Sequence, residues 1–134
     1  MNETLVAAIT VLVFMGIADA VWLTTMTERF YRPALGSLLR ETPSWAPAIG
    51  FYLLYAAGVI VLIVSPALEH DYALGRVAFT GAALGVIAYG TYDLTNQATV
   101  RGWDARVTVV DIAWGGALTA AAATLAMLAA RQFA

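Results

Sequence analysis

Three aspartates, Asp19, Asp93 and Asp111, stand inside or at the end of otherwise apolar stretches of the sequence. An aspartate at the centre of a membrane-spanning helix costs about 2.5–3.5 kcal/mol on insertion scales, so acidic residues there usually face a bundle interior or a watery cavity. Carboxyl groups in such a place could bind a proton or a cation, or act as general acids and bases. The alternative is that each carboxyl group only hydrogen-bonds a neighbouring helix and fixes its packing.

Two of these acids are each accompanied by a tryptophan on the same helical face. Trp22 follows Asp19 by three residues, and Trp114 follows Asp111 by the same spacing. Side chains three residues apart are neighbours on a helix surface. We therefore predict that both indoles turn inward with the acids, although tryptophan also favours the membrane–water interface. The other two tryptophans, Trp45 and Trp103, lie in or beside loops and are assigned to that interfacial belt.

Tyrosines add hydroxyl groups at the level of the acids. In the third apolar stretch, residues 89, 92, 93 and 96 follow the i, i+3, i+4, i+7 pattern of one helix face. The second stretch contributes two tyrosines three residues apart, and all four stretches thus bring acidic or aromatic groups to one layer. The predicted binding residues are Asp19, Trp22, Tyr52, Tyr55, Tyr89, Tyr92, Asp93, Asn96, Asp111 and Trp114.

The acids are expected to differ in charge. Asp93 closes its apolar stretch and has the richest polar surroundings, so water or a ligand is expected to reach it and its charge to be needed. Asp19 lies deeper and has Trp22 as its notable same-face partner. Burial disfavours the charged form of a carboxyl group, so Asp19 is the predicted neutral, structural acid.

Several kinds of chemistry are excluded by the residues that the chain lacks. The sequence contains no cysteine and no lysine, and its one histidine, His70, falls in a predicted loop. Zinc sites and activated nucleophiles are therefore not expected, and we predict neither a metal nor a cofactor. A formal net charge of −2 without a basic run also argues against a nucleic-acid partner.

The composition is that of a membrane protein. Hydrophobic residues make up 61% of the 134 residues and charged residues 12%, whereas soluble chains average about 25% charged residues. Apolar stretches near the length that crosses a bilayer cover about residues 4–26, 45–64, 77–92 and 107–130. Ser65-Pro66 is expected to end the second stretch. We predict an all-α, four-span transmembrane helix bundle that forms one domain over residues 1–134, with the first span retained rather than cleaved as a signal.

The arginines predict the orientation in the membrane. Residues 27–44 and 96–106, taken as loops on one side, carry five arginines, whereas the opposite side carries two. Short loops rich in arginine favour the cytoplasmic side. We therefore expect an inner-membrane protein with both termini in the periplasm, and the three acids in the cytoplasmic half of the bilayer.

Small residues predict how the helices approach one another. Gly81 and Gly85 form a small-xxx-small face on the third stretch, and Gly115, Gly116 and residues 120–123 do the same on the fourth. Close packing of small residues drives association of membrane helices. The same faces could also join two copies of the chain, so a homo-oligomer stays open.

Several stretches resemble a known bacterial membrane family. They are FYLLY at 51–55, YGTYDLTN at 89–96, DIAWG at 111–115, and the shorter patterns DxxW from Asp19 and FYxP from Phe30. Together they resemble the domain of unknown function 2177 family over essentially the whole chain. The resemblance implies a small four-span inner-membrane protein without an assigned reaction, in a setting of lipid modification or envelope stress.

Two functions from different classes remain. In the first, the acidic and aromatic layer is a cavity that binds or transports a proton, a cation or a small amphipathic molecule. In the second, the protein is a membrane-embedded enzyme, or an accessory subunit, that acts in lipid modification or envelope stress. Acids without a nucleophile or a metal-ligand set favour the first, and whether the chain is an enzyme is left open. The lipid bilayer is the one partner that the composition itself implies.

Overall fold

Helices account for nearly all of the described chain. The computed structural model describes residues 2–133, and in this range four helices are long and apolar enough to cross a membrane. We label them α1 to α4, and the structure thus confirms the predicted all-α, four-span fold. Their bounds are α1 Glu3–Leu38, α2 Trp45–His70, α3 Leu74–Thr99 and α4 Ala105–Phe133.

The first helix is longer than the sequence predicts. It continues beyond Met26 through a π-helical turn, Thr27–Tyr31, and two short helical segments. The Arg32 guanidinium pairs with the Glu28 carboxylate at 2.8 Å, one turn apart, which supports the helix across this region. Gly36, with a φ of 56°, accompanies the last tight turn. The prediction of a loop from residue 27 onward was therefore wrong as far as residue 38.

The second helix also outlasts its predicted end. It runs through Ser65-Pro66 to His70, because a π-helical turn, Ile60–Val64, comes before a new helical segment that begins at Ser65. Proline lacks an N–H and its ring clashes with the carbonyl one turn back in a regular helix, whereas at the start of a new helical segment it is tolerated. The helix ends at Asp71, whose φ of 54° is left-handed.

Small residues bring α3 and α4 into close contact. A Cβ atom added at Gly85 would lie 2.1 Å from the carbonyl oxygen of Gly115, and one added at Gly81 would lie 2.9 Å from the Cα of Ala120. Neither position tolerates a side chain without moving a backbone. The predicted packing role of these glycines is thus confirmed within a single chain, and the homo-oligomer stays a prediction.

The two ends of the bundle differ in what fills them. The half that holds both chain termini, which we call the packed half, has an apolar core that includes the fully buried Val11, Val59, Val64 and Met127. The other half, which we call the site half, contains the predicted acids and the turns at residues 39–44 and 100–104.

A capping residue fixes the start of α4 in the site half. The Asp104 carboxylate accepts a hydrogen bond from the backbone N–H of Arg106 at 2.8 Å and one from its guanidinium at 2.7 Å. The side-chain and backbone hydrogen bonds from Arg106 lower the pKa of Asp104. The guanidinium is thereby held at the bundle's end by its own neighbour.

Candidate functional site

Asp19 joins three helices through its side chain. Its two carboxylate oxygens accept hydrogen bonds from the Tyr52 hydroxyl at 2.6 Å and from the Trp114 indole N–H at 2.9 Å. These donors come from α2 and α4, respectively, and the residue is 7% exposed. Both carboxylate oxygens of Asp19 are therefore hydrogen-bonded to neutral donors from two other helices.

Asp111 lies at the end of a second hydrogen-bonded chain. The Tyr31 hydroxyl donates to its carboxylate, and the Trp22 indole N–H donates to the Tyr31 hydroxyl at 2.9 Å. The indoles of Trp22 and Trp114 stack with centroids 4.2 Å apart and planes 8° from parallel. The stacked indoles thus connect the hydrogen bonds that end at Asp111 to those of Asp19. Both indole rings face the interior of the bundle.

A cavity of about 240 Å³ opens between these groups, and we call it the polar cavity. Seven of the ten predicted binding residues line it, and none of the described lining residues is basic. Its lining residues are Asp19, Trp22, Leu23, Thr27, Tyr31, Leu35, Leu39, Tyr52, Tyr89, Tyr92, Trp103, Val107, Asp111 and Trp114.

Tyr89 owes its place in the wall to a glycine opposite. A Cβ atom added at Gly115 would lie 2.2 Å from the Tyr89 ring, so the ring lies directly against the backbone of α4. The ring also meets that of Tyr55 edge-on, with centroids 6.3 Å apart. Gly115 therefore serves the site as well as the packing of α3 on α4.

Asp93 differs from Asp19 and Asp111 because its carboxyl group has no hydrogen-bond donor among the described residues. It is 0% exposed, and neither of its carboxyl oxygens has a hydrogen-bond donor. Its carboxyl group neighbours that of Asp111, and its backbone carbonyl accepts from the Thr108 hydroxyl at 3.4 Å. The expectation that water reaches Asp93 was wrong, because one residue of helix turns it about 100° away from the cavity-lining Tyr92 and onto α4.

Two other predicted residues do not reach the cavity. Tyr55 lies deeper, 8% exposed, where its hydroxyl hydrogen-bonds that of Thr119 at 2.7 Å. Asn96 is half-buried beside the Tyr92 hydroxyl and does not line the polar cavity. Together with Asp93, they leave seven of the predicted residues facing the empty space.

Sequence reasoning missed two aromatic residues of the site. Tyr31 was taken as part of a loop, although it stands in one of the stretches that carry the family resemblance. Trp103 was assigned to the interfacial belt, but it lines the cavity and donates to the Thr108 hydroxyl at 3.1 Å. By contrast, Trp45 is 64% exposed at the start of α2, as an interfacial residue would be.

The described residues offer no prearranged metal cluster. Within residues 2–133, no group of three or more histidine, aspartate or glutamate side chains is placed to hold a metal ion. What the site half does bring together is two cavity-lining carboxyl groups, a third carboxyl group that is fully buried, and aromatic rings from all four helices.

Four apolar spans define a small polytopic membrane protein. A family described as "Predicted membrane protein (DUF2177)" matches residues 4–128. The chain belongs to this family, as its sequence motifs predicted. Comparison with curated proteins and with solved structures finds no match.

Proposed function

We propose that the polar cavity binds a small organic cation in exchange for a proton. The observation that carries this proposal is that, among the described residues, the innermost carboxyl group, Asp93, has no hydrogen-bond donor and no basic side chain lines the cavity in front of it. A buried carboxylate without a partner is costly, so it takes up a proton or acquires a cation. The neighbouring Asp111 supplies an acceptor for such a proton.

The walls of the cavity suit an organic cation. The faces of Trp and Tyr rings attract positive charge, and aromatic cages are a common way to bind quaternary ammonium groups. Here the stacked pair Trp22 and Trp114 and the ring of Tyr89 surround a space bounded by two carboxyl groups. A volume of about 240 Å³ is suited to a small ammonium group and not to a large folded ligand.

The acids have different parts in this proposal. Asp111 contacts the cation, and Asp93 behind it carries a proton when the cavity is empty. Two neighbouring carboxyl groups cannot both ionise at low cost, so one of the two is protonated in the empty site and can release its proton when a cation arrives. Asp19, which accepts two neutral hydrogen bonds, holds the tryptophan pair in place. In this proposal Asp93, and not Asp19, is the acid that carries a proton, in contrast to the prediction from the sequence.

Calorimetry of the full-length protein in zwitterionic lipid nanodiscs tests the proposal, with tetramethylammonium as the probe. Titrations in two buffers of different ionisation enthalpy count the protons released, and we expect about one per cation bound near neutral pH. Asp111→Asn should weaken binding by about tenfold or more. Asp93→Asn should retain binding but lose the proton release.

The matched control is Asp71→Asn, because Asp71 lies in an exposed turn of the packed half. It should change neither quantity. Binding that is unaffected by Asp111→Asn, or an absence of tetramethylammonium binding in the parent protein, would overturn the proposed function.

A second candidate is a membrane-embedded enzyme or accessory subunit that acts in lipid modification or envelope stress. It is supported by the 57% exposure of Tyr92, beside which a lipid could approach the acids, and by the ability of a carboxyl pair to act as general acid and base. Comparative lipidomics of a deletion strain against strains complemented with the parent or Asp111→Asn gene tests it. A lipid that changes on deletion and is restored by the parent gene alone is the expected result.

We further propose that the site half faces the cytoplasm of an inner membrane and that both termini are periplasmic. The support is the five-to-two distribution of arginines. Alkaline phosphatase joined to the C-terminus should be active, and green fluorescent protein joined there should be dark. The opposite pattern would place the site in the outer leaflet.

A further inference from the structure

A second pocket adjoins the polar cavity on the side of the bilayer. This lateral pocket has a volume of about 320 Å³ and is lined by Phe51, Ala88, Tyr89, Tyr92 and Asp111. Phe51 comes from α2, Ala88 from α3 and Asp111 from α4. Three of its lining residues, Tyr89, Tyr92 and Asp111, also line the polar cavity. The two spaces are therefore neighbours that share one acid and two phenol rings.

The lateral pocket exists because α2 leans away from α3 in the site half. The segment Trp45–Val59 of α2 packs on α1, whereas α2 approaches α3 through its Ile60–Val64 turn in the packed half. Phe51 remains 42% exposed and Tyr92 57% exposed at the resulting gap. In a membrane-spanning bundle, this gap faces lipid chains rather than water.

We propose that the ligand is a single-chain amphiphile with a cationic head, which reaches the site from within the bilayer. Its head binds at Asp111, and its alkyl chain lies in the lateral pocket between Phe51 and Ala88. This inference rests on the proposed function, because the head is the organic cation assigned to the polar cavity. The chain is the occupant that the surroundings favour, because the pocket is walled mainly by apolar atoms and opens where lipid chains are the solvent.

The ring of Tyr89 separates the two parts of this ligand. It lies against Gly115 and cannot retreat toward α4, because the α4 backbone is in direct contact with it. The charged head of the ligand, on the cavity side, and its apolar chain, on the lipid side, are therefore joined at the edge of the fixed Tyr89 ring. This arrangement selects for a head and a chain joined close to Asp111.

Binding of three probes to the full-length protein in zwitterionic nanodiscs tests the inference. The probes are tetramethylammonium, decyltrimethylammonium and decyl sulfate. The variant Ala88→Phe fills the lateral pocket, and the matched control Ala57→Phe adds the same ring to an exposed position of α2. We expect Ala88→Phe to weaken binding of decyltrimethylammonium by about tenfold or more and to leave binding of tetramethylammonium unchanged. Ala57→Phe should change the binding of neither probe.

Phe51→Ala provides a second variant that removes a partly exposed ring without adding bulk. It should reduce the preference for the long-chain cation over tetramethylammonium several-fold. Because each comparison uses the same lipid, partitioning of the long chain into the bilayer cancels between parent and variant. Circular dichroism and thermal unfolding of each variant establish that it is folded.

The possible results separate this inference from the proposed function. If tetramethylammonium binds but neither variant distinguishes the two cations, the lateral pocket does not hold the chain, and the cation site stands. If decyl sulfate binds as well as the long-chain cation, and both are weakened by Ala88→Phe, the chain pocket stands and the cation site is overturned. If none of the three probes binds, both proposals are overturned.

Discussion

The packed half and the site half solve the same problem, holding helices together in lipid, in different ways. In the packed half, α3 meets α4 through Gly81, where an added Cβ would lie 2.9 Å from the Cα of Ala120. In the site half, aromatic rings keep the helices apart, and hydrogen bonds to Asp19 and Asp111 span the resulting space. Close packing of small residues thus holds the packed half together, whereas hydrogen bonds between helices hold the site half together.

Because of this difference, the packed half mainly stabilises the fold, whereas the site half holds the groups that could bind a ligand. Close packing of small residues and interhelical hydrogen bonds both stabilise helix association in membranes. Only the second leaves an accessible space with polar groups directed into it. A change in the packed half should therefore alter the free energy of unfolding without changing ligand specificity, and several changes in the site half should do the opposite.

The largest expected effect on stability is at the close contact between α3 and α4, from Gly85→Ala. Its Cβ would overlap the backbone carbonyl of Gly115, so α3 and α4 must separate. We expect the free energy of unfolding to fall by about 3 kcal/mol, the upper part of the usual cost of overpacking. Thermal unfolding in detergent measures it. Gly90→Ala is the control, because its Cβ would meet Ile112 at an ordinary 3.7 Å. An equal loss of unfolding free energy in both variants would show that the Gly85 contact does not hold α3 and α4 together.

Two acids of the site half should respond in opposite directions to the same substitution. Asp93→Leu removes a buried carboxyl group that lacks a donor, so we expect the free energy of unfolding to rise by about 1–3 kcal/mol. Asp19→Leu leaves the Tyr52 hydroxyl and the Trp114 N–H without their acceptor and should lower it by about the same amount. Thermal unfolding of both variants in detergent measures the sign of each change in the free energy of unfolding. Destabilisation by both would mean that Asp93 also holds helices together.

A smaller effect is expected where the two halves meet. Tyr55→Phe and Thr119→Val each remove one partner of a buried hydroxyl pair 2.7 Å apart. A double-mutant cycle on unfolding should give a coupling of about 0.6 kcal/mol, with about 1.7 as the upper bound for such bonds in membranes. Binding of tetramethylammonium should be unchanged, because Tyr55 does not line the polar cavity. A large loss of binding would extend the site deeper than the cavity.

The smallest effect is expected at the outer end of the packed half. Arg131 donates to the Asp71 carboxylate at 3.0 Å and to the Tyr72 carbonyl at 2.8 Å. Because the Asp71 side chain is 92% exposed and that of Arg131 is 34% exposed, Arg131→Ala should cost less than about 1 kcal/mol. The melting temperature at low and high salt measures this. A loss as large as that of Gly85→Ala would show that polar contacts also govern the packed half.

The sequence was sufficient to predict the four helices that are long and apolar enough to span a membrane, because their number depends on hydropathy counted along the chain, although the first two of them end later than predicted. It also predicted the inward direction of Trp22 and Trp114, since each shares a helical face with an acid. The rotation of α3 about its own axis was harder. Tyr92 and Asp93 belong to one stripe on a helical wheel, yet the first lines the cavity and the second is sealed against α4.

Tyr31 was beyond sequence reasoning for a different reason. A π-helical turn has no strong signature in residue type, and a charged stretch after an apolar span is usually a loop. The geometry that returns Tyr31 to Asp111 arises only when the helix continues past residue 26. The same effect carried α2 through Pro66, where a proline on its own predicts an end.

The Thr27–Tyr31 turn makes the site sensitive to the length of the chain as well as to its residues. A π-helical turn bonds each residue to the fifth along rather than the fourth, so it holds one more residue than an α-helical turn. Each residue of an α-helix advances the azimuth by about 100°. Shortening this turn by a single residue would leave every side chain of the site present, but would swing Tyr31 out of line with Asp111. The hydrogen bond between Tyr31 of α1 and Asp111 of α4 therefore depends on the one extra residue in the π-helical turn. Without that residue, Asp19 and Asp111 would no longer belong to one hydrogen-bonded and stacked network.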